Sequence, residues 1–275
     1  MKSTYGRVNS STTIGLIQLA VGPSKKENLA RAVSSIEKVG KDSDLIVFPE
    51  YTMGYPQEGL SRKYLNDLAE PLTGGFVSAL AETSKREHVT VVVPIFEKDN
   101  GSVHNTAVVI DQGTVLGGYR KVHLFDALGY RESDLFSAGS TPVTFKVGEM
   151  KFGLVICYDV RFPELIRAEV LSGAQAVIAP AAWYAGPLKE EQWQTLLMAR
   201  AHENTSYLIG VGNANKSFIG RSIVVDPLGV KAMDLGSGDR TGLFEIEESR
   251  VRNAREILPL LKQAENTVYR PCLQL

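Results

Sequence analysis

Short apolar runs alternate with amphipathic stretches along most of the chain. Ile14–Leu19 reads as a strand, and Leu29, Ala32, Val33 and Ile36 follow at the i, i+3, i+4, i+7 spacing of one helix face. Leu45–Phe48 is a second buried strand, with Glu50 just beyond its end. Phe76–Glu87 has a helical pattern, and the β-branched run Val89–Phe96 a strand pattern. Val103–Ile110 and Thr114–Tyr119 flank Asp111-Gln112-Gly113, which predicts a hairpin. A long loop around residues 121–141 leads to strands near Val143–Val147 and Phe152–Ile156, joined by a turn at Gly148-Glu149. Pro163 and Glu164 open a helix, with proline in its first turn and an acid near the positive end of the dipole. Ala176–Ala179, Tyr207–Gly212, Ile219–Val225 and Gly242–Ile246 complete the strands, and Leu188–Asn204 is a long helix. A turn at Asp226-Pro227-Leu228-Gly229 follows the third of these strands, and the tail from Glu247 is charged at first and then helical.

Helix and strand alternate, yet several strand pairs are joined by tight turns. That mixture predicts an α/β fold with sheets of mixed direction and helices outside, rather than a purely parallel sheet. No internal repeat, low-complexity tract or linker divides the chain, so residues 1–275 are expected to form a single domain with a C-terminal tail from about residue 247.

Composition narrows the function classes. With 44% hydrophobic and 22% charged residues the chain is that of a soluble globular protein, long enough to bury its own core. Thirty basic against thirty-one acidic residues carry no footprint of nucleic-acid binding. No run approaches the ~18 apolar residues a membrane helix needs, and the polar start MKSTYGRVNSSTT lacks signal-peptide features. Two cysteines, Cys157 and Cys272, make no disulfide framework. A cytoplasmic protein without membrane or nucleic-acid partners is the expectation, with Cys272 an incidental exposed thiol.

Three chemical groups stand at strand ends. Cys157 follows Leu154-Val155-Ile156 and precedes the helix opened by Pro163, a place where α/β proteins present reactive groups to a substrate. A small buried core cysteine fits the same pattern. Glu50 closes a buried strand directly after Pro49; a carboxylate there is costly unless paired or used, and burial suits it to take a proton. Lys121 lies in Tyr119-Arg120-Lys121-Val122-His123, which reads alone as a solvated turn with a packed histidine.

Together, Phe48-Pro49-Glu50, Arg120-Lys121-Val122-His123-Leu124 and Cys157-Tyr158-Asp159-Val160-Arg161-Phe162-Pro163-Glu164 resemble the three signature segments of the nitrilase, or carbon–nitrogen hydrolase, superfamily. Their order and their spacing of 71 and 36 residues agree, and the similarity runs from about Thr13 to about Ile246. The resemblance implies a four-layer α-β-β-α sandwich that pairs into homodimers or higher homo-oligomers, through a helical face and with the tail reaching a neighbour. It implies Cys157 as nucleophile, Glu50 as general base and Lys121 as the cation for the oxyanion. Glu132 fits the family's second glutamate, with a surface loop acid as the alternative. Arg200-Ala201-His202-Glu203-Asn204 is expected to hold a buried structural Arg–Glu pair.

The segments around Cys157 and Lys121 look most like the omega-amidase and deaminated-glutathione amidase branch, which implies hydrolysis of a small amide bearing a carboxylate, with ammonia released. The backbone N–H of Tyr158 would join Lys121 at the oxyanion. Arg161 would pair with the substrate carboxylate or make a structural ion pair, and Trp183 would line the pocket or pack in the core. The chain departs from that branch around Tyr184–Lys189 and in a shorter loop before Glu132, so the amide itself stays open. A nitrilase, an N-carbamoyl amidohydrolase and a non-catalytic scaffold are the alternatives, with a papain-like Cys–His protease a weaker one. No cofactor is expected, and His88, His104, His123 and His202 offer no metal-ligand spacing.

Overall fold

The structure, a computed structural model, describes residues 11–265; the tail beyond, including Cys272, lies outside the described residues. The chain opens with β1 (Ser11–Gln18), α1 (Lys25–Val39) and β2 (Leu45–Val47). Two helices, α2 (Arg62–Leu68) and α3 (Gly75–Glu87), precede the meander β3 (Thr90–Asp99), β4 (Ser102–Asp111) and β5 (Thr114–Arg120). The second half holds β6 (Thr144–Val147), β7 (Met150–Leu154), α4 (Pro163–Leu171), β8 (Ala176–Ala181), α5 (Lys189–Asn204) and β9 (Tyr207–Gly212). Then come β10 (Ile223–Val225), β11 (Lys231–Asp234), β12 (Arg240–Glu247), α6 (Glu248–Ile257) and α7 (Leu260–Glu265).

The strands form two six-stranded sheets, ordered β12-β1-β2-β3-β4-β5 and β11-β10-β9-β8-β7-β6. Each is mixed as expected: β1, β2 and β3 run parallel, as do β7, β8 and β9, while the outer pairs are antiparallel. Period-two alternation sorts the side chains. Ile14 and Leu16 face inward into one core with Leu154, Ile178 and Ile209 of the other sheet, whereas Ile17 joins a second core with Ala32 and Ile36 of α1. Helices α1 and α3 cover the outer face of the first sheet, and α4 and α5 that of the second. The four layers implied by the resemblance are therefore present.

Local chemistry explains why these elements form where they do. Ser24 caps α1 by accepting the N–H of Glu27, and Pro163 opens α4. Gly210 lets α5 close on β9: a Cβ there would lie 2.5 Å from the Trp193 indole. The pattern did not reveal α2, where only Leu65 is buried, nor β11, a half-exposed strand without alternation. The strand expected over Ile219–Val225 is only Ile223–Val225, because Gly220 (φ 68°) and Arg221 (φ 51°) turn the chain out of the ladder. Among the described residues no helix is long and apolar enough to cross a membrane.

Candidate active site

Each of the three chemical groups is delivered by the end of a strand. Past β2, Phe48 and Pro49 lead to Glu50, which is 1% exposed. Lys121, also 1% exposed, follows β5 directly and donates its N–H to the Asn105 carbonyl of β4 at 2.9 Å. Beyond β7, Cys157 begins a 3-10 turn running to Arg161, and its φ of 47° is in the left-handed region that side chains rarely adopt. The first N–H groups of a helical turn have no acceptor within it, so the Tyr158 N–H has none there.

These groups converge across the two sheets. Lys121 Nζ lies 2.9 Å from Glu50 Oε1 and 2.8 Å from Glu132 Oε2. Asn105 Nδ2 donates to the same Glu50 oxygen at 2.8 Å and to Glu132 Oε1 at 3.2 Å. The Ala182 N–H, just past β8, donates to Glu50 Oε2 at 2.7 Å. Glu132 also accepts from the Tyr51 hydroxyl (3.2 Å) and the Phe125 N–H (2.7 Å). The Cys157 thiol shares the cleft lining with Glu50, whose charge acts on it.

Burying one cation with two carboxylates is tolerable because nearly every oxygen is matched by a donor. Burial raises the Glu50 pKa, against the lowering by Lys121 and with a further push from Glu132. Burial would lower that of Lys121, but the charges of Glu132 and Glu50 outweigh it and hold the ammonium well above the ordinary lysine value. Burial first, then the Glu50 charge, drives the Cys157 thiol well above its usual range despite Lys121. The resting sulfur is therefore protonated at neutral pH.

A buried aspartate locks the cysteine turn to the lysine segment. Asp159 Oδ2 accepts from the Tyr119 hydroxyl (2.7 Å) and the Ile156 N–H (3.0 Å), and Oδ1 from the His123 N–H (2.9 Å). The His123 ring nitrogen lies 2.8 Å from Oδ1, and the ring stacks on Phe162 with centroids 3.6 Å apart. That histidine is packed and bonded, as expected, and lies off the cleft wall. Arg200 Nε donates to the Val160 carbonyl (3.0 Å) and its guanidinium meets Glu203 at 2.8 Å. The expected pair on α5 exists, though Glu203 is half-exposed rather than buried.

Cys157, Glu50 and Lys121 lie in a small cleft whose walls include Tyr158, Arg161, Trp183 and Tyr184. Arg161 sits over the Trp183 ring at 4.6 Å and donates to Gln192 Oε1 at 3.1 Å, so the structural ion pair considered for it is absent among the described residues. Trp183 does both things expected of it: it lines the cleft and packs on Trp193 at 5.1 Å. Glu132 contacts Lys121 and lines an adjoining cavity that shares Tyr51, Phe125 and Tyr184 with this cleft. The sequence reading missed Asn105, Ala182 and the tethering role of Asp159. A polar residue inside the apolar strand Val103–Ile110 was the available sign for Asn105; a backbone N–H such as that of Ala182 leaves none.

Residues 13–256 match the carbon-nitrogen hydrolase family, so the chain belongs to it, and the four-layer fold agrees. It is accordingly a hydrolase of carbon–nitrogen bonds other than peptide bonds, which sets aside the papain-like alternative. The chain is 36% identical over 222 residues to the deaminated glutathione amidase of Escherichia coli O157:H7, covering 80% of this chain and 84% of that one. It is 33% identical to the omega-amidase NIT3 of Saccharomyces cerevisiae, over 93% of this chain and 94% of the relative. The crystal structure of Saccharomyces cerevisiae Nit3, described as a member of branch 10 of the nitrilase superfamily, superposes with a TM-score of 0.81 at 28% identity, covering 95% and 99% of the two chains.

Proposed function

We propose that this protein hydrolyses a small amide bearing a carboxylate, through a thioester on Cys157. The observation that carries the reading is the buried contact of Lys121 with Glu50 at 2.9 Å, beside a protonated thiol at the wall of a small cleft. As sulfur attacks the amide carbon, Glu50 takes the thiol proton, and the C=O electron pair moves to oxygen. Lys121 and the Tyr158 N–H hold that oxyanion, an effect worth ~3–4 kcal/mol per donor in other enzymes. On collapse the C–N bond breaks, Glu50 returns its proton to nitrogen and ammonia leaves. Water then attacks the thioester while Glu50 takes a proton and passes it to the departing sulfur. The products are a carboxylate and the free thiol.

In this reading Glu132 keeps Lys121 charged and in place and so acts on the chemistry through it. Arg161 receives the substrate carboxylate, since a guanidinium suits a carboxylate bidentately, and Trp183 is the flat wall beside it. The names of the relatives, an omega-amidase and a deaminated glutathione amidase, support an amide over a nitrile or an N-carbamoyl group.

The same reading takes the chain as one cytoplasmic domain that forms homo-oligomers and binds no nucleic acid. Exposed apolar side chains, Met198 of α5 together with Leu228 and Val230 of the turn whose Gly229 packs against the Met198 carbonyl, support a self-association face, which light scattering would test.

The decisive experiment is intact mass after mixing with short amides, nitriles and N-carbamoyl amino acids. An acyl adduct from amides, absent in Cys157→Ala, is expected. Reaction with the nitrile alone would overturn the amidase reading.

A further inference from the structure

The cleft contains a second outer cation that the proposed chemistry does not use. Lys189, the first residue of α5, lines the same wall as Arg161 and Cys157, and is half-buried. Its carbonyl accepts the Trp183 indole N–H at 3.0 Å, which ties the residue to the wall on which Arg161 lies. Among the described residues the guanidinium of Arg161 is satisfied only by a neutral amide, Gln192, and by the faces of Trp183 and Tyr158. The next acid along α5, Glu190, is taken by Arg221 at 3.0 Å. Among the described residues neither outer cation forms a salt bridge. Two like charges share a partly dry space, and what they lack is an anion.

We propose that Lys189 is a substrate-selecting residue that receives the carboxylate of the acyl chain jointly with Arg161, so that rejection of neutral amides rests on two cations. The inference rests on the amidase reading and goes beyond it by naming the second anchor. Arg161 offers a planar fork and Lys189 a mobile point charge, so one carboxylate can take two bonds from the first and a third from the second. A carboxylate placed there cancels their mutual repulsion, whereas a methyl group in its place leaves both cations desolvated and unpaired. Burial and then the Arg161 charge hold the Lys189 pKa below the ordinary lysine value, in keeping with an ammonium waiting for a counter-ion. Lys189 lies in the Tyr184–Lys189 stretch where the chain departs from the branch it resembles.

The test compares glutaramate with pentanamide, which replaces the carboxylate by a methyl group at the same chain length. Lys189→Gln is expected to lower the ratio of the two kcat/KM values about tenfold, chiefly through the KM for glutaramate, and Lys189→Arg to restore it. In parallel, calorimetry with glutarate on Cys157→Ala, with and without Lys189→Gln, reads the same contact without turnover and should show a similar weakening. An unchanged ratio and unchanged glutarate affinity in Lys189→Gln would overturn the proposal while leaving the amidase reading intact. If glutarate binding weakens but no amide is turned over by the native protein, the anion site stands and the amidase reading fails.

Discussion

Glu50 accepts three donors, from Lys121, Asn105 and the Ala182 N–H, and still lies beside a protonated thiol. It can act as a base only when ionised, and burial lifts its pKa. Activity is therefore lost as pH falls through that raised value, and the acid limb of kcat/KM should lie above the ordinary glutamate range of about 4.3. A limb at or below that range would contradict the assignment. Lys121 bears the opposite burden. Lys121→Met removes the oxyanion cation and leaves Glu50 facing Glu132, so kcat should fall ~10²–10³-fold and stability by about 3–5 kcal/mol at neutral pH. The stability loss should shrink toward pH 5, because Glu50, its pKa already raised by burial and now without the lowering by Lys121, then binds a proton; urea titrations at the two pH values measure it. Glu50 and Cys157 stood out in the letters because each follows an apolar run that reads as a strand, whereas Lys121, in a segment that reads alone as a solvated turn, stood out only through the resemblance. Asn105 did not, because it sits in the polar run His104-Asn105-Thr106, whose members alternate between the two faces of β4 so that none is singled out.

At the scale of elements, the 3-10 turn from Cys157 to Arg161 depends on Asp159 for its attachment to the segment after β5. Asp159→Asn puts an amide donor against either the Ile156 or the His123 N–H whichever way it is turned. The turn should shift, and because small misplacements of a nucleophile are expensive in rate, kcat should drop ~10²-fold with an unchanged far-UV spectrum. A second buried acid, Glu169 of α4, accepts the Leu154 N–H of β7 at 3.1 Å while its Oε2 has no hydrogen-bond partner among the described residues, and burial raises its pKa to about 8. The folded state thus holds a proton that the unfolded chain releases near 4.5. Stability from this group is full below that value and is lost as pH rises to about 8. Thermal melts should show wild-type stability declining across that window and Glu169→Gln flattening the slope. The helix and most strands around these two acids were readable from periodicity; the 3-10 turns were not, since three to five residues carry no period.

The molecule as a whole carries its site on two sheets at once: Glu50 and Lys121 extend from β2 and β5 of the first, Cys157 and Ala182 from β7 and β8 of the second. Tight hairpins made mixed sheets legible, but alternation along a strand says nothing of which sheet the strand joins. The four-layer arrangement came from the resemblance, because the pairing that builds it, such as β1 with β12, joins residues too distant in the chain to leave a local pattern. This division of the site gives the inter-sheet core a catalytic consequence that the outer cores lack. Leu16 of β1 lies in the core shared by both sheets, and Ile36 of α1 in the core between the first sheet and its own helices; both are fully buried. Leu16→Ala and Ile36→Ala should each cost about 2–5 kcal/mol in denaturant titrations. Well below the melting midpoint, however, only Leu16→Ala lets one sheet settle against the other and so changes the distance between the thiol and its base. Its kcat should fall about tenfold at 25 °C, while that of Ile36→Ala stays near the wild-type value. Equal losses in the two variants would mean that the sheets hold their separation without this core, and that the converging groups are fixed by their own hydrogen bonds alone.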